Sequence, residues 1–294
     1  MVGLVQVLPT PERARRQTPM GMIELPQSTF EAVTLNLKKG SRPMGNSWLR
    51  RLSPSPGNGS HKLVCFPHAG GSAISFGPLA KCIGSEYEVL AVQYPGRQDR
   101  RHEPLVDSIS DLVDGLLPEL IETVKDTESF SVFGHSMGSV VAFEACRRLK
   151  QEVGATARVL FASGRRAPSS TQTGHVHLLS DRELCELLLS VGGTPPALLE
   201  DPEFREIVLS ITRNDYRAIE TYECTTNAIV SCPIVAIAGD RDPDASLADI
   251  EAWSSHTSGS FYAKSFPGGH FFLDSNCGPV GQLIRDHSSQ SLLS

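Results

Sequence analysis

Residues 130–149 read FSVFGHSMGSVVAFEACRRL, and three patterns follow one another in that stretch. Phe130 to Phe133 is a short apolar run of the kind that forms a strand buried on both faces. Val140 to Leu149 reads as a helix. Between them stands Gly134-His135-Ser136-Met137-Gly138, a G-x-S-x-G pentapeptide. At a strand-to-helix junction this pattern puts the serine on a sharp, strained turn. Its hydroxyl is exposed above the sheet, and the next backbone N–H points at a reacting oxygen. Side chains two positions either way would collide with neighbouring backbone, which explains Gly134 and Gly138. The pentapeptide alone is weak, and its setting gives it weight. Ser136 is therefore the candidate nucleophile.

Further apolar runs flank this unit. Leu63 to Phe66, Val89 to Val92, Val159 to Ala162, Ile234 to Ala238 and Phe261 to Phe266 all read as strands. Ser108 to Val124 carries Leu112, Leu116, Leu120 and Val124 at helical spacing, with Pro118 as a defect. Strands alternating with helices imply an α/β fold: a mostly parallel central sheet with helices on both faces. Leu178 to Tyr222 interrupts the alternation. Ser180 and Glu183 form a capping-box pattern, and Asp201-Pro202 suits an N-cap followed by a first helical residue. Gly192 and Gly193 divide the segment and have the backbone freedom of a hinge. The expectation is a helical lid insertion at about 178–222 in a domain spanning 46–294.

A serine hydroxyl needs a base, and the base needs an orienting carboxylate. In folds of this kind the order along the chain is Ser, then Asp or Glu, then His. His270 in Pro267-Gly268-Gly269-His270 follows the last strand and is the expected base. His256 and His287 lack such a setting and read as surface residues, while His135 and His68 flank the site as packing groups. Gly239-Asp240-Arg241-Asp242-Pro243 offers two carboxylates, with Asp244 a third. Asp242, further past the strand end, is preferred, with Asp240 left to brace the turn. An oxyanion hole needs two backbone donors. The expected pair is Met137 N–H and Ala69 N–H, the latter in Pro67-His68-Ala69-Gly70-Gly71 after the first strand.

From about Ser47 to Leu273 the chain resembles the stand-alone type II thioesterases of modular polyketide and non-ribosomal peptide synthetases, members of the α/β-hydrolase superfamily. The resemblance rests on ordered blocks: Trp48-Leu49-Arg50-Arg51; Cys65 to Gly71; Gln93-Tyr94-Pro95-Gly96-Arg97; Gly134 to Gly138; Ser163 to Pro168; Gly192 to Pro195; Gly239 to Pro243; and Pro267 to Phe271. It implies a triad of Ser136, Asp242 and His270, agreeing with the reading of the residues. It also implies hydrolysis of acyl groups from the phosphopantetheine arm of carrier proteins, clearing stalled or misprimed chains. No cofactor or metal is expected, the substrate being carried on the partner's phosphopantetheine. The rival expectations are a carboxylesterase-type hydrolase and a non-catalytic adaptor that grips carrier proteins. The complete Ser/Asp/His set argues against the adaptor.

Composition narrows the field. The 294 residues carry a net charge of −6, with 40% apolar and 20% charged side chains. That builds a core and argues against a nucleic-acid partner, which calls for a basic face. Seven cysteines without a CxxC or a zinc-type array suit a reducing compartment. With no apolar window long enough for a membrane helix, the expectation is a cytoplasmic monomer. Residues 1–45, with Pro9, Pro11, Pro19, Pro26 and Pro43, are expected to be a disordered extension or the product of too early a start codon. The resemblance does not need them. Ser53 to Ser60 reads as a linker.

Overall fold

Strands β2 (His61–Phe66), β3 (Tyr87–Val92), β4 (Phe130–His135), β5 (Leu160–Ser163) and β6 (Ile234–Gly239) are almost wholly buried. This accounts for their unbroken apolar runs. A computed structural model of the chain describes residues 47–53, 61–125, 127, 129–170 and 174–290. The expected extension at 1–45 and most of the linker at 53–60 lie outside the described residues. With β1 (Leu49–Arg51) and β7 (Phe261–Phe266) the strands form one seven-stranded sheet in the order β1-β3-β2-β4-β5-β6-β7. β1 runs antiparallel to β3, and every other pairing is parallel.

Successive strand residues point to opposite faces, so the sheet has two cores. Val64, Phe66, Val132, Leu160 and Ala236 pack on one face under α2 (Ile109–Val124) and α3 (Met137–Val153). Leu63, Cys65, Phe133, Phe161 and Ile237 pack on the other. They meet Leu79 of α1 (Gly77–Cys82) and Val280 and Ile284 of α8 (Leu273–Gln290). Pro118 sits inside α2, whose Ser108 side chain accepts from Asp111 N–H as its cap.

The 178–222 segment is helical as expected. It contains α4 (Asp181–Val191), α5 (Pro196–Glu200) and α6 (Pro202–Glu220). Ser180 and Glu183 form the capping box, and Asp201 caps α6 with Pro202 at its first position. Leu184, Leu188, Leu199 and Leu209 build a small core of the insert's own, separate from both faces of the sheet. After β6, α7 (Leu247–Glu251) precedes β7.

Candidate active site

The end of β4 sets Ser136 at φ 53° and ψ −121°, a left-handed conformation that costs a non-glycine residue and persists only where its surroundings fix it. Those surroundings are tight. Ser136 N–H donates to Ser163 O at 2.7 Å. Ser139 Oγ donates to Ser163 O at 3.0 Å and accepts from Ser163 N–H at 3.1 Å, locking the turn to β5. A Cβ on Gly134 would lie 2.3 Å from Gly138 O, and one on Gly138 would lie 2.0 Å from Phe66 O. The two glycines are thus required by backbone contact. Met137 is the first residue of α3, so its N–H is one of those a helix leaves without an intrahelical acceptor.

His270 and Asp242 meet from the loops after β7 and β6. His270 Nδ1 and Asp242 Oδ2 are 2.9 Å apart, and both residues are buried. The other carboxylate oxygen, Oδ1, accepts from Asp244 N–H at 3.0 Å. Asp240 is exposed, and its Oδ1 accepts from Gly268 N–H at 2.9 Å, bracing the turn that carries His270. Asp242, Asp244 and His270 bring metal-type ligand atoms within 4.8 Å of one another. Two of these three residues are already joined by the His270 Nδ1–Asp242 Oδ2 hydrogen bond.

Two further histidines stand against His270. The His135 ring lies 5.2 Å from the His270 ring and 5.8 Å from that of His68. His135 Nδ1 meets Ser163 Oγ at 3.0 Å, while its Nε2 is buried without a partner. Burial first, then the neighbouring imidazoles of His270 and His68, hold His135 well below the ordinary histidine range. Burial likewise lowers His68 to about 3, aided by His270 and Arg97. Both rings are neutral neighbours of His270. His256 departs from expectation. It is buried against Phe143 and Trp253, with Nδ1 2.8 Å from Ala228 O. His287 is half-buried beside Tyr262. His256 is covered by Phe143 of α3 and neighbouring Trp253, and His287, on α8, packs on Tyr262 of β7.

The loop after β2 is fixed by two residues given no role by sequence reasoning. Arg97 Nη1 and Nη2 donate to Asp215 Oδ2 and Oδ1 at 2.6 and 2.8 Å, with the two side chains 4% and 0% exposed. Asp215 Oδ2 also accepts from Gly70 N–H at 2.8 Å, and Arg97 Nη1 donates to Gly71 O at 3.1 Å. Gly71 N–H is spent on His68 O at 2.9 Å. Among the described residues Ala69 N–H has no acceptor, whereas both neighbouring glycine amides are engaged. Asp215 was detectable in principle. It shares the buried face of amphipathic α6 with Thr212 and Ala218, where a carboxylate calls for a partner.

Ser136, His270 and Ala69 open onto one cavity of about 560 Å³, roofed by the insert through Leu188, Gly193, Ile207 and Ile211. Gly192 and Gly193 adopt φ of 84° and 81°, and a Cβ on Gly193 would lie 2.4 Å from the Phe271 ring. The glycine pair is therefore packed directly beside the residue that follows His270.

A thioesterase domain match spans residues 61–290. This chain belongs to the thioesterase family. Thioesterase PikA5 of Streptomyces venezuelae is 42% identical over 240 residues, covering 82% of this chain and 85% of that protein. Among solved structures, the type II thioesterase BorB from the borrelidin biosynthetic cluster aligns with a TM-score of 0.75 and 38% identity, covering 84% of this chain and 99% of that one. YbtT, a type II thioesterase from the yersiniabactin pathway, aligns with a TM-score of 0.75 and 29% identity, covering 83% and 99%. The thioesterase described here is thus a serine hydrolase on the α/β-hydrolase fold, resembling enzymes of polyketide and non-ribosomal peptide biosynthesis. No helix among its described residues is long and apolar enough to cross a membrane.

Proposed function

We propose that this thioesterase hydrolyses acyl groups held as thioesters on the phosphopantetheine arm of carrier proteins of a modular synthetase, clearing stalled or misprimed chains. The observation that carries the reading is the strained Ser136 turn opening on the same cavity as a buried His270–Asp242 pair. In this reading His270 Nε2 takes the Ser136 hydroxyl proton as Oγ attacks the thioester carbonyl carbon. The oxyanion is held by Met137 and Ala69 N–H. Collapse breaks the C–S bond, and the departing pantetheine thiol takes the proton from His270. Water, activated by the same imidazole, then cleaves the acyl-serine and releases the free acid. Asp242 stabilises the imidazolium formed in each half. Apart from the hydrolytic water, each role in these steps falls to a side chain or amide of this chain. The insert, with its own small core, would act as the cover that excludes water until the acyl chain is placed.

The test is release of free propionate from a propionyl carrier protein by the purified enzyme and its Ser136→Ala variant. The variant should be slower by about three orders of magnitude or more. A faster rate on a nitrophenyl ester than on the carrier thioester would favour a carboxylesterase. Carrier-protein binding without hydrolysis or labelling by a covalent serine probe would favour an adaptor.

A further inference from the structure

The loop Pro95–Glu103 reads PGRQDRRHE and carries three guanidiniums. Two face inward. Arg97 holds buried Asp215 as described. Arg100 forks onto Glu103 at 2.8 and 2.6 Å, donates to Gln93 O at 2.8 Å and lies 4.3 Å over the Trp48 ring. Between these anchors Gln98 is held at φ 53°, a conformation a non-glycine residue seldom adopts. The clamp leaves Arg101 and His102 exposed. With Gln98 they border the same cavity as Ser136 and His270, and their exposure marks its solvent end. Among the described residues no carboxylate pairs with Arg101, whose guanidinium makes one long hydrogen bond, 3.4 Å to Gln98 O. The loop thus presents an unspent cation from a rigid base. The lining of the same cavity includes exposed Glu206 of α6, also without an ion-pair partner among the described residues.

We propose that Arg101, flanked by His102 and Gln98, forms the subsite for the phosphate of the phosphopantetheine arm. The proposal rests on the carrier-thioester reading above. An arm whose thioester reaches Ser136 must leave its phosphate towards the solvent end of the cavity. A planar guanidinium matches a phosphate's oxygens in charge and geometry. Glu206, a carboxylate lining the same cavity, repels the phosphate, which limits how tightly the arm is held after release of the acid.

Binding can be read without turnover by working in the Ser136→Ala background. The probes are S-propionyl-4′-phosphopantetheine and S-propionyl-pantetheine, which differ only in the phosphate. The phosphorylated probe should bind about ten-fold more tightly, the usual worth of one charge-assisted hydrogen bond. Adding Arg101→Ala should bring the ratio near one, Arg101→Lys should restore part of it, and Glu206→Gln should raise it. The ratio should also shrink with added salt, because the subsite is exposed. A ratio unchanged by Arg101→Ala would overturn the proposal. So would a loss confined to the arm carried on its protein, since the guanidinium would then be reading carboxylates of the carrier. Hydrolysis of the same compounds by the parent enzyme is followed in parallel. Its failure would count against the carrier-thioester reading, while the binding ratio decides Arg101 independently.

Discussion

His270 can be oriented by only one carboxylate at a time, and the two candidates two residues apart have separate partners. Asp242 Oδ2 faces His270 Nδ1, whereas Asp240 Oδ1 takes the Gly268 amide and lies 3.6 Å from the exposed Arg241 guanidinium. Asp242→Asn should therefore lower kcat by about three to four orders of magnitude, because an amide neither fixes the same imidazole tautomer nor stabilises the imidazolium. Asp240→Asn keeps an acceptor for Gly268 and loses an exposed ion pair of little worth. It should leave kcat within a few-fold and move Tm slightly. The opposite pattern, with a normal Tm for an inactive Asp240→Asn, would reverse the assignment. At this scale the sequence was informative where structure is local: the strained Ser136 turn and the glycine-bearing loop that brings His270 to Asp242. It carried no signal that Arg97 and Asp215 meet, because contact across 118 positions leaves no short-range pattern. His256 is buried where the sequence suggested a surface group because Phe143 of α3, distant in sequence, completes the cover that neighbouring Trp253 begins.

The elements most legible in sequence were long or repeated a pattern: the buried strands, α2, and the capped helices of the insert. The short pieces were not. β1 has three residues, two of them Arg50 and Arg51, and becomes a strand only by pairing with β3. α1 and α7 are too short for periodicity to register. What the elements do together is clearest at α6. Its Asp215 reaches from the insert into the body of the enzyme, joining Arg97 and the Gly70 amide in one buried network. Removing one partner strands a buried charge, which typically costs about 3–5 kcal/mol. Asp215→Asn should lower stability by roughly that amount. It should also lower kcat more than it raises KM, because the loop bearing Ala69 loses its anchor. Arg97→Lys should not substitute for the parent, since an ammonium cannot make the two-pronged contact. A double-mutant cycle of Asp215→Asn with Arg97→Gln tests the coupling. Strictly additive losses, or an Asp215→Asn variant with parental Tm and kcat, would refute the brace.

Across the whole molecule, three imidazoles stand at opposite edges of the sheet and are kept neutral by folding. His61 begins β2, between Ser129 and Ser131, and burial together with nearby Arg158 lowers it to about 4. His68 and His135 lie at the other end, lowered to about 3 and well below the ordinary range respectively. In the unfolded chain each returns to its ordinary value of 6.5. Between the folded and unfolded values the unfolded state binds more protons, so stability rises with pH there. The contribution is complete above about pH 6.5 and is lost progressively as the pH falls towards 4. Tm should therefore begin to drop below neutrality, before the carboxylates titrate, with up to three protons from these histidines taken up on unfolding. Calorimetry in buffers of differing ionisation enthalpy counts that uptake directly. His61→Gln should remove one proton from the count without touching the active site, as it lies at the far end of β2. His135→Asn should remove another and also relieve the buried Nε2. A Tm that stays level from pH 7.5 to 4.5, or a proton count unchanged by His61→Gln, would show that these rings are not held neutral by the fold. The same neutrality bears on turnover. In the proposed mechanism His270 carries positive charge in passing, and a proton on His135 or His68 would oppose that charge, so the neutrality that folding imposes on the two rings also favours the reaction.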